Sequence, residues 1–443
     1  MEVLTRPPGS LATVAPSQAR VQDAEGQRHA TIRRVLRVAT ALLVLCFYGE
    51  VLAHAPVTGQ DFRVFYSAAA VIRQGGSPYD TSALVRAEER LFPARSAAER
   101  RDRHANPYIQ GPLLALLFVP FLRFPPPVVY DAYAAVLLAA AAVALLVMDR
   151  VRRDGGGVGP RTTRRAFPLL LSPVVFLAVL LGQPDPLLLL LFALAWHALQ
   201  CRHATLASAL LAVACVKPQI MAGPIVLLAV LAWRAGNIRP YLGGLLAGVT
   251  AVIGCCLLLA GPLTTGDWLR ALVSFGGATV YAQVDIAALS TLYLDWLPRA
   301  LVPVAVVGAV AAWIMWCAFS ARRGTFDAPA TLRWVSQGLC LWLLATPYAH
   351  PHDDVLLLPA LWLRATAQPA TSGRALRALF AATWWVLPLT SVLGLRPPIV
   401  RGLGVVPVIF LALMILVRCG PSAPVTSQSR RHRTAAIRAV RRY

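Results

Sequence analysis

The sequence predicts an all-α polytopic membrane protein, and three observations carry that prediction. Hydrophobic residues make up 57% of the chain and charged residues 14%, whereas in soluble globular domains charged residues reach about a quarter. Apolar runs recur along the whole length, several of them near the ~20 residues that an upright helix needs to cross the hydrocarbon core. Arginines stand at the ends of those runs, as they do on the cytoplasmic flanks of membrane spans facing anionic lipid.

Taken in order, residues 1–34 are polar and basic, and their composition predicts a disordered cytoplasmic N-terminus. The first apolar run, 35–53, is long enough to stay in the membrane, so no cleavable signal peptide is expected. Residues 54–106 form the largest polar region and read as the first external loop. Within it Phe62, Phe65, Ala69 and Ile72 recur at helical spacing, and Leu84, Ala87, Leu91 and Phe92 do so after Asp80, an N-cap candidate. Two amphipathic helices lying on the membrane surface fit that pattern. Gly75-Gly76-Ser77-Pro78 is the turn between them.

Further apolar segments follow at 107–123, 128–148, 166–181, 186–200, 204–216, 218–233, 240–260, 300–319, 333–346, 354–365, 376–393 and 398–417. Several are short for a full span, so about 11–13 transmembrane helices are expected over a membrane domain of 35–417. The tail 418–443 carries Arg430, Arg431, Arg433, Arg438, Arg441 and Arg442 without an acid and is expected to be cytoplasmic and disordered. A net charge of +22 would suggest nucleic acid in a soluble protein. Here it marks topology and lipid contact, and no nucleic-acid partner is expected. The eight cysteines form no CxxC pair and read as small hydrophobes.

The arginine distribution orients the chain. It puts the N-terminus, 149–165, 234–239, 322–323, 364–377 and the tail inside, and 54–106, 182–186, 217–219, 261–299 and 346–354 outside. One conflict remains. An external 54–106 and an internal 149–165 need an odd number of crossings between them, yet 107–148 reads as two segments. Either the Pro-rich stretch 107–127 is partly re-entrant or interfacial, or the arginine rule fails at 149–165.

Four polar motifs interrupt the apolar runs: Asp61-Phe62-Arg63, Gly182-Gln183-Pro184-Asp185, Lys217-Pro218-Gln219 and His350-Pro351-His352-Asp353-Asp354. Charge at membrane depth costs a few kcal/mol or more, so such groups usually line a functional cavity. The orientation gathers all four on the external face. Lys217 is the sole lysine of the chain, against 41 arginines.

These motifs, in this order, resemble glycosyltransferase family 87 of the GT-C superfamily. The matching text is DFRVFYSAAAVIRQGGSPYD at 61–80, NPYIQGPLLALLFVPFLRFPPP at 106–127, LLGQPDPLLLLLFALA at 180–195, ACVKPQIMAGPIVLLA at 214–229 and TPYAHPHDDVLLLPAL at 346–361. The resemblance implies a GT-C-like bundle in the cytoplasmic membrane with its active site facing outside. It implies a hexosyltransferase, most often an α-mannosyltransferase, using a polyprenyl-phosphate sugar donor and a lipid or glycan acceptor. Another pentose or hexose, such as arabinose, is the alternative donor sugar. The Arg- and Ala-rich composition is similar to that of high-GC actinobacteria, where such enzymes build cell-envelope glycolipids.

The resemblance makes Asp61 the catalytic base. The physical need is plain, because an attacking sugar hydroxyl must lose a proton and a carboxylate within hydrogen-bond reach can take it. Direct displacement inverts the anomeric centre and needs no second, nucleophilic carboxylate. The leaving lipid phosphate needs cations or donors, for which Lys217, His350, His352 and Arg63 are candidates. Gln183, Asp185 and Gln219 are candidates for sugar hydroxyls, and Tyr66, Tyr79 and Tyr348 for stacking on pyranose faces. Blander readings stand beside these. Asp61 would also serve as a helix cap, Lys217 as a snorkelling side chain, and Gln183 and Gln219 as partners for backbone freed by the adjacent prolines. The His350–Asp354 motif would serve as a divalent-metal ligand set or a cap, although no metal or other cofactor is expected. Two functions of other classes remain, a secondary transporter and an inactive assembly partner. The lack of a two-fold internal repeat counts against the first, and the presence of Asp61 against the second.

Overall fold

Proline sets the start of helix after helix in this chain. Its fixed φ suits the first helical position, where a missing N–H costs nothing, and it forces the preceding residue out of the helical region. In the computed structural model, which describes residues 58–93, 107–154, 167–274, 301–322, 328–346, 350, 352–366 and isolated positions between 31 and 50, five helices begin on a proline. The helices are α1 (Gln60–Arg73), α2 (Thr81–Leu91), α3 (Pro112–Leu116), α4 (Pro126–Asp154), α5 (Pro173–Leu181), α6 (Asp185–Gln200) and α7 (Ala204–Val213). They continue with α8 (Pro218–Arg234), α9 (Ile238–Ala260), α10 (Pro262–Ser274), α11 (Leu301–Arg322), α12 (Ala328–Ala345) and α13 (Leu358–Thr366). Short 3-10 turns at Val119–Phe121, Phe167–Leu171, Ala214–Val216 and Asp353–Leu357 complete the described residues, which contain no strand. The chain divides into a unit ending at His54, helical at its described positions, and a unit beginning at Ala55. The expectations for both tails, for 376–393 and 398–417 and for Tyr348 lie outside the described residues.

The second unit is built around two apolar clusters. The larger joins Leu137 of α4, Phe192 and Trp196 of α6, Leu211 of α7, Met221 of α8, Trp313 of α11, Leu343 of α12 and Trp362 of α13. The smaller surrounds α1 with Phe62, Phe65, Tyr66, Tyr108, Leu114 and Phe118. Between α7 and α9 the contact is made by small residues: a Cβ on Gly244 would sit 2.5 Å from Ser208 Oγ, and one on Gly248 would sit 2.7 Å from Ala212 Cβ. Close approach over small residues is how helices associate where no water drives them together. The outer faces stay apolar, with Val128, Val136, Leu138, Val143 and Leu146 exposed on α4 and Leu246, Leu257, Leu258 and Leu259 on α9. Apolar faces of that extent suit lipid and not water. Pro126–Val151 and Ile238–Ala260 are long and apolar enough to cross a membrane, and α5 with α6 makes a third such span if the pair, bent by 120°, counts as one. The protein is therefore an all-α membrane protein with two or three spans of full length among its described residues.

Three expectations change here. The stretch 107–127 folds as the five-residue α3 and a three-residue 3-10 turn, far short of the ~20 residues of a span. Among the described residues between 58 and 154, only α4 is long and apolar enough to cross. Second, α1 does not lie on a surface with one face out: every residue from Val64 to Ile72 is buried. Its neighbours α2, α3, α5 and the Val119–Phe121 turn wrap it. The 3.6-residue pattern was there, but the alanines and Ser67 on the other face are small enough for helices to close over them as well. In contrast α2 keeps the expected amphipathic form, burying Leu84 and Ala87. Third, Tyr66 belongs to the core, as described below.

Candidate active site

Local chain geometry brings the polar motifs together at breaks between helices. Helix α5 ends on Gly182 at φ 77°, a left-handed conformation that glycine adopts without strain. The N–H of Gln183 returns to Ala178 O at 2.8 Å and that of Gly182 to Val179 O at 3.0 Å, the double closure of a Schellman stop. Pro184 and Pro186 then restart the chain as α6, with Asp185 in its first turn. The same break carries the start of α1. Gly59 N–H donates to Leu180 O at 2.6 Å, and the Tyr130 hydroxyl donates to Leu180 O at 3.0 Å. A Cβ on Gly182 would lie 2.6 Å from Phe62 Cβ. Only glycine lets the two segments approach so closely.

That approach puts Asp61 within reach of Gln183, whose Nε2 donates to Asp61 Oδ2 at 2.7 Å. Asp61 is half-buried in the first turn of α1, where the partial positive charge of the helix N-terminus favours a carboxylate. Gly59 is the N-cap and no side chain caps the helix, so the carboxylate is turned to Gln183 and not to its own backbone. Burial pushes its pKa up to about 6, against the lowering effects of the Gln183 hydrogen bond and the Lys217 charge, while the Asp353 charge adds to the rise.

A second group of charges lies beside it. Pro218 holds Lys217 at φ −123°, ψ 73° between the Ala214–Val216 turn and α8. From there Lys217 Nζ donates to Asp185 Oδ1 at 2.8 Å and to Asp353 Oδ1 at 2.7 Å. Lys217 is 2% exposed and both aspartates are fully buried. The other Asp353 oxygen accepts from the His350 N–H at 2.7 Å. His352 Nε2 stands 3.9 Å from Asp185 Oδ2 and 3.9 Å from Asp353 Oδ2. The His350 and His352 rings stack, with centroids 5.3 Å apart. Asp185, His352 and Asp353 each offer a ligand atom within 4.8 Å of the others, so they are the described residues able to hold a metal ion, with Asp185 joining the His350–Asp354 motif. Lys217 already supplies a cation to both carboxylates. The capping reading of the motif is not met by either aspartate: His352 is the N-cap of the Asp353–Leu357 turn and no side chain caps it, while Asp354 is buried with Oδ1 lacking a hydrogen-bond partner.

The remaining candidates divide. Gln183 Oε1, Asp185 Oδ2 and Gln219 Oε1 are buried without hydrogen-bond partners. The backbone oxygen of Gln219 accepts from Thr346 Oγ1 at 2.6 Å. Arg63 is half-buried and its guanidinium donates to Thr58 O at 3.2 Å. Tyr79 donates to Gln110 O at 2.6 Å and packs its ring on Tyr108. Tyr66 corrects the stacking expectation: it is 1% exposed and enclosed by Phe62, Phe92 and Phe118. Its hydroxyl donates to Phe121 O and Phe124 O at 3.0 and 2.9 Å, so it braces the turn before α4 and offers no face to a sugar.

Two polar residues at this site carried no sequence assignment. Gln110 is 5% exposed with Oε1 unpartnered, and the next residue, Gly111, donates its N–H to Val216 O at 3.0 Å, beside Lys217. A glutamine ahead of Gly-Pro at the head of an apolar run was its signal. Tyr133 of α4 lies within electrostatic reach of Asp185, its hydroxyl buried and unpartnered. Nothing in an Ala-rich span marks it in advance.

Residues 108–347, more than half of the chain, match the model of glycosyltransferase family 87. The chain belongs to glycosyltransferase family 87. No curated protein matches it. The matched region holds Gln110, Gln183, Asp185 and Lys217 of this family 87 protein, whereas Asp61 precedes it and the His350–Asp354 motif follows it. A glycosyltransferase takes a sugar from a donor and passes it to an acceptor, and the polar cluster at the helix breaks is the candidate place for that transfer.

Proposed function

We propose that this glycosyltransferase moves mannose from a polyprenyl phosphate to a lipid-linked or glycan acceptor at the outer face of the cytoplasmic membrane. We read the fold as a GT-C-like bundle of about 11–13 spans in the sense of the sequence resemblance. The observation that carries the proposal is the Asp61 carboxylate, held by Gln183 at 2.7 Å and raised by burial to about 6. A base with that affinity for protons is better matched to a hydroxyl at neutral pH than an ordinary carboxylate, and it remains ionised there.

In the proposed step the acceptor oxygen attacks the anomeric carbon as its proton passes to Asp61. The bond from that carbon to the phosphate oxygen breaks, and polyprenyl phosphate departs with the electron pair. One displacement inverts the centre, so a β-linked donor gives an α-mannoside. His350, half-buried beside His352, and Arg63, two residues from the base, are the proposed contacts for the developing phosphate charge. Gln219 Oε1, buried and unpartnered, is the proposed contact for a sugar hydroxyl.

The test uses purified protein in detergent, radiolabelled polyprenyl-phosphate-mannose and lipid acceptors from the native membrane, with and without chelator. Wild type is expected to make a labelled lipid. Asp61→Asn, which keeps the shape and loses the base, is expected to lower the rate by about 10²–10⁴-fold. Full activity in Asp61→Asn removes the base assignment. Product from the arabinose donor alone changes the sugar, and loss of product with chelator adds a metal to the mechanism.

A further inference from the structure

The sole lysine of the chain stands where three helix breaks meet. Its neighbours decide what it can do. An ammonium carries one positive charge, and two carboxylate oxygens at 2.7 and 2.8 Å already surround it in a site where Lys217 is 2% exposed. A lipid phosphate approaching this group would meet two acids for one base. To bind the phosphate, Lys217 would have to abandon buried carboxylates, and an uncompensated buried charge is among the most costly defects a fold can carry. We propose that Lys217 is a positioning residue: the shared counter-ion of Asp185 and Asp353, locking the α5–α6, α7–α8 and Asp353–Leu357 breaks so that Gln183 meets Asp61.

The connections are short. Asp185 lies two residues after Gln183, which donates to Asp61. Asp353 lies one residue after His352 and accepts from the backbone of His350. Lys217 thus ties the base side of the site to the histidine side. The choice of lysine in an arginine-using chain follows from shape. A compact ammonium on a flexible stem directs separate N–H groups at two acids, whereas a planar guanidinium favours one carboxylate in a fork and needs more room. Around Asp61, the charged groups acting from packed elements are Lys217 and Asp353, with Arg63 on its own helix.

This inference rests on the Asp61 reading for its effect on catalysis but not for the clamp itself, and the test separates the two. Full-length Lys217→Met, Asp353→Asn, the double variant and Lys217→Arg are purified in detergent. Thermal unfolding is recorded for each, with pH–rate profiles and donor KM wherever transfer is measurable. Lys217→Met is expected to lower Tm, and the double variant to recover part of the loss because it buries one acid without its cation, Asp185, in place of two. The acid limb of the rate is expected to move to higher pH in Lys217→Met and back in the double variant. Lys217→Arg is expected to behave like Lys217→Met. In all variants kcat is expected to fall while donor KM stays within roughly threefold. Additive Tm changes overturn the clamp. So does a donor KM raised roughly tenfold or more in Lys217→Met and restored in Lys217→Arg, the pattern of a phosphate contact. Coupled Tm values in a protein that transfers no sugar from the mannosyl donor leave the clamp standing and remove the functional reading instead.

Discussion

A carboxylate near the start of α1 carries the proposed chemistry, and its proton affinity sets a measurable pH dependence. Asp61 has its pKa raised to about 6. The base works ionised, so activity is expected to rise through pH ~6 and level off above it, an acid limb read directly in a kcat/KM profile. The Gln183 hydrogen bond stabilises the ionised form. Gln183→Leu is therefore expected to move the limb to higher pH as well as lower the rate. An unmoved limb would mean that the amide serves only to pack the α5–α6 break.

At the scale of elements, the site is made by helices that stop. Prolines and glycines place each break, and the groups freed by each break are taken up by side chains from elsewhere. In α8, Pro224 lacks the N–H that would bond Ile220 O, and the Trp342 indole donates to that oxygen at 2.9 Å instead. At Gly182 two demands coincide, a left-handed φ of 77° and Phe62 pressed against it. Gly182→Ala combines strain with a clash and is expected to cost about 1–3 kcal/mol or more. It should lower Tm and transfer together, because it pushes α1 and its Asp61 away from Gln183. A variant with unchanged Tm would show that the two breaks tolerate separation.

For the whole molecule, the number of crossings decides where the site faces. With the helical pieces of 107–125 too short to span, α4 is the one described helix between 58 and 154 that is long enough to cross. Reporter fusions within 94–106 and within 155–160 are expected to report opposite sides of the membrane, the second cytoplasmic. The same side for both would require a second crossing and would reverse the proposed outward face.

Much of this was legible in the residues. Composition and apolar runs alone give an all-α membrane protein, because a chain with so little charge has no soluble way to satisfy its apolar surface. The motifs around Asp61, Gln183, Lys217 and Asp353 stand out for the same reason: polar groups amid apolar runs need a cause. Asp80 is the N-cap its position suggests, accepting from Ser82 and Ala83 N–H. Tyr66 and the burial of α1 were not legible. Periodicity reports which face of a helix is apolar, but not whether small residues let a second set of helices cover the other face. Gln110 and Tyr133 escaped because one buried polar side chain in an apolar run has no periodic signature.

The solvent this protein lives in, and the side chains that are out of place there, follow from transfer energies that each residue carries independently of the fold. How those side chains pair is a property of the folded chain. Folding gave Lys217 to two carboxylates and Gln183 to Asp61, contacts spanning 32, 136 and 122 residues that depend on glycine-permitted close approach and proline-set breaks.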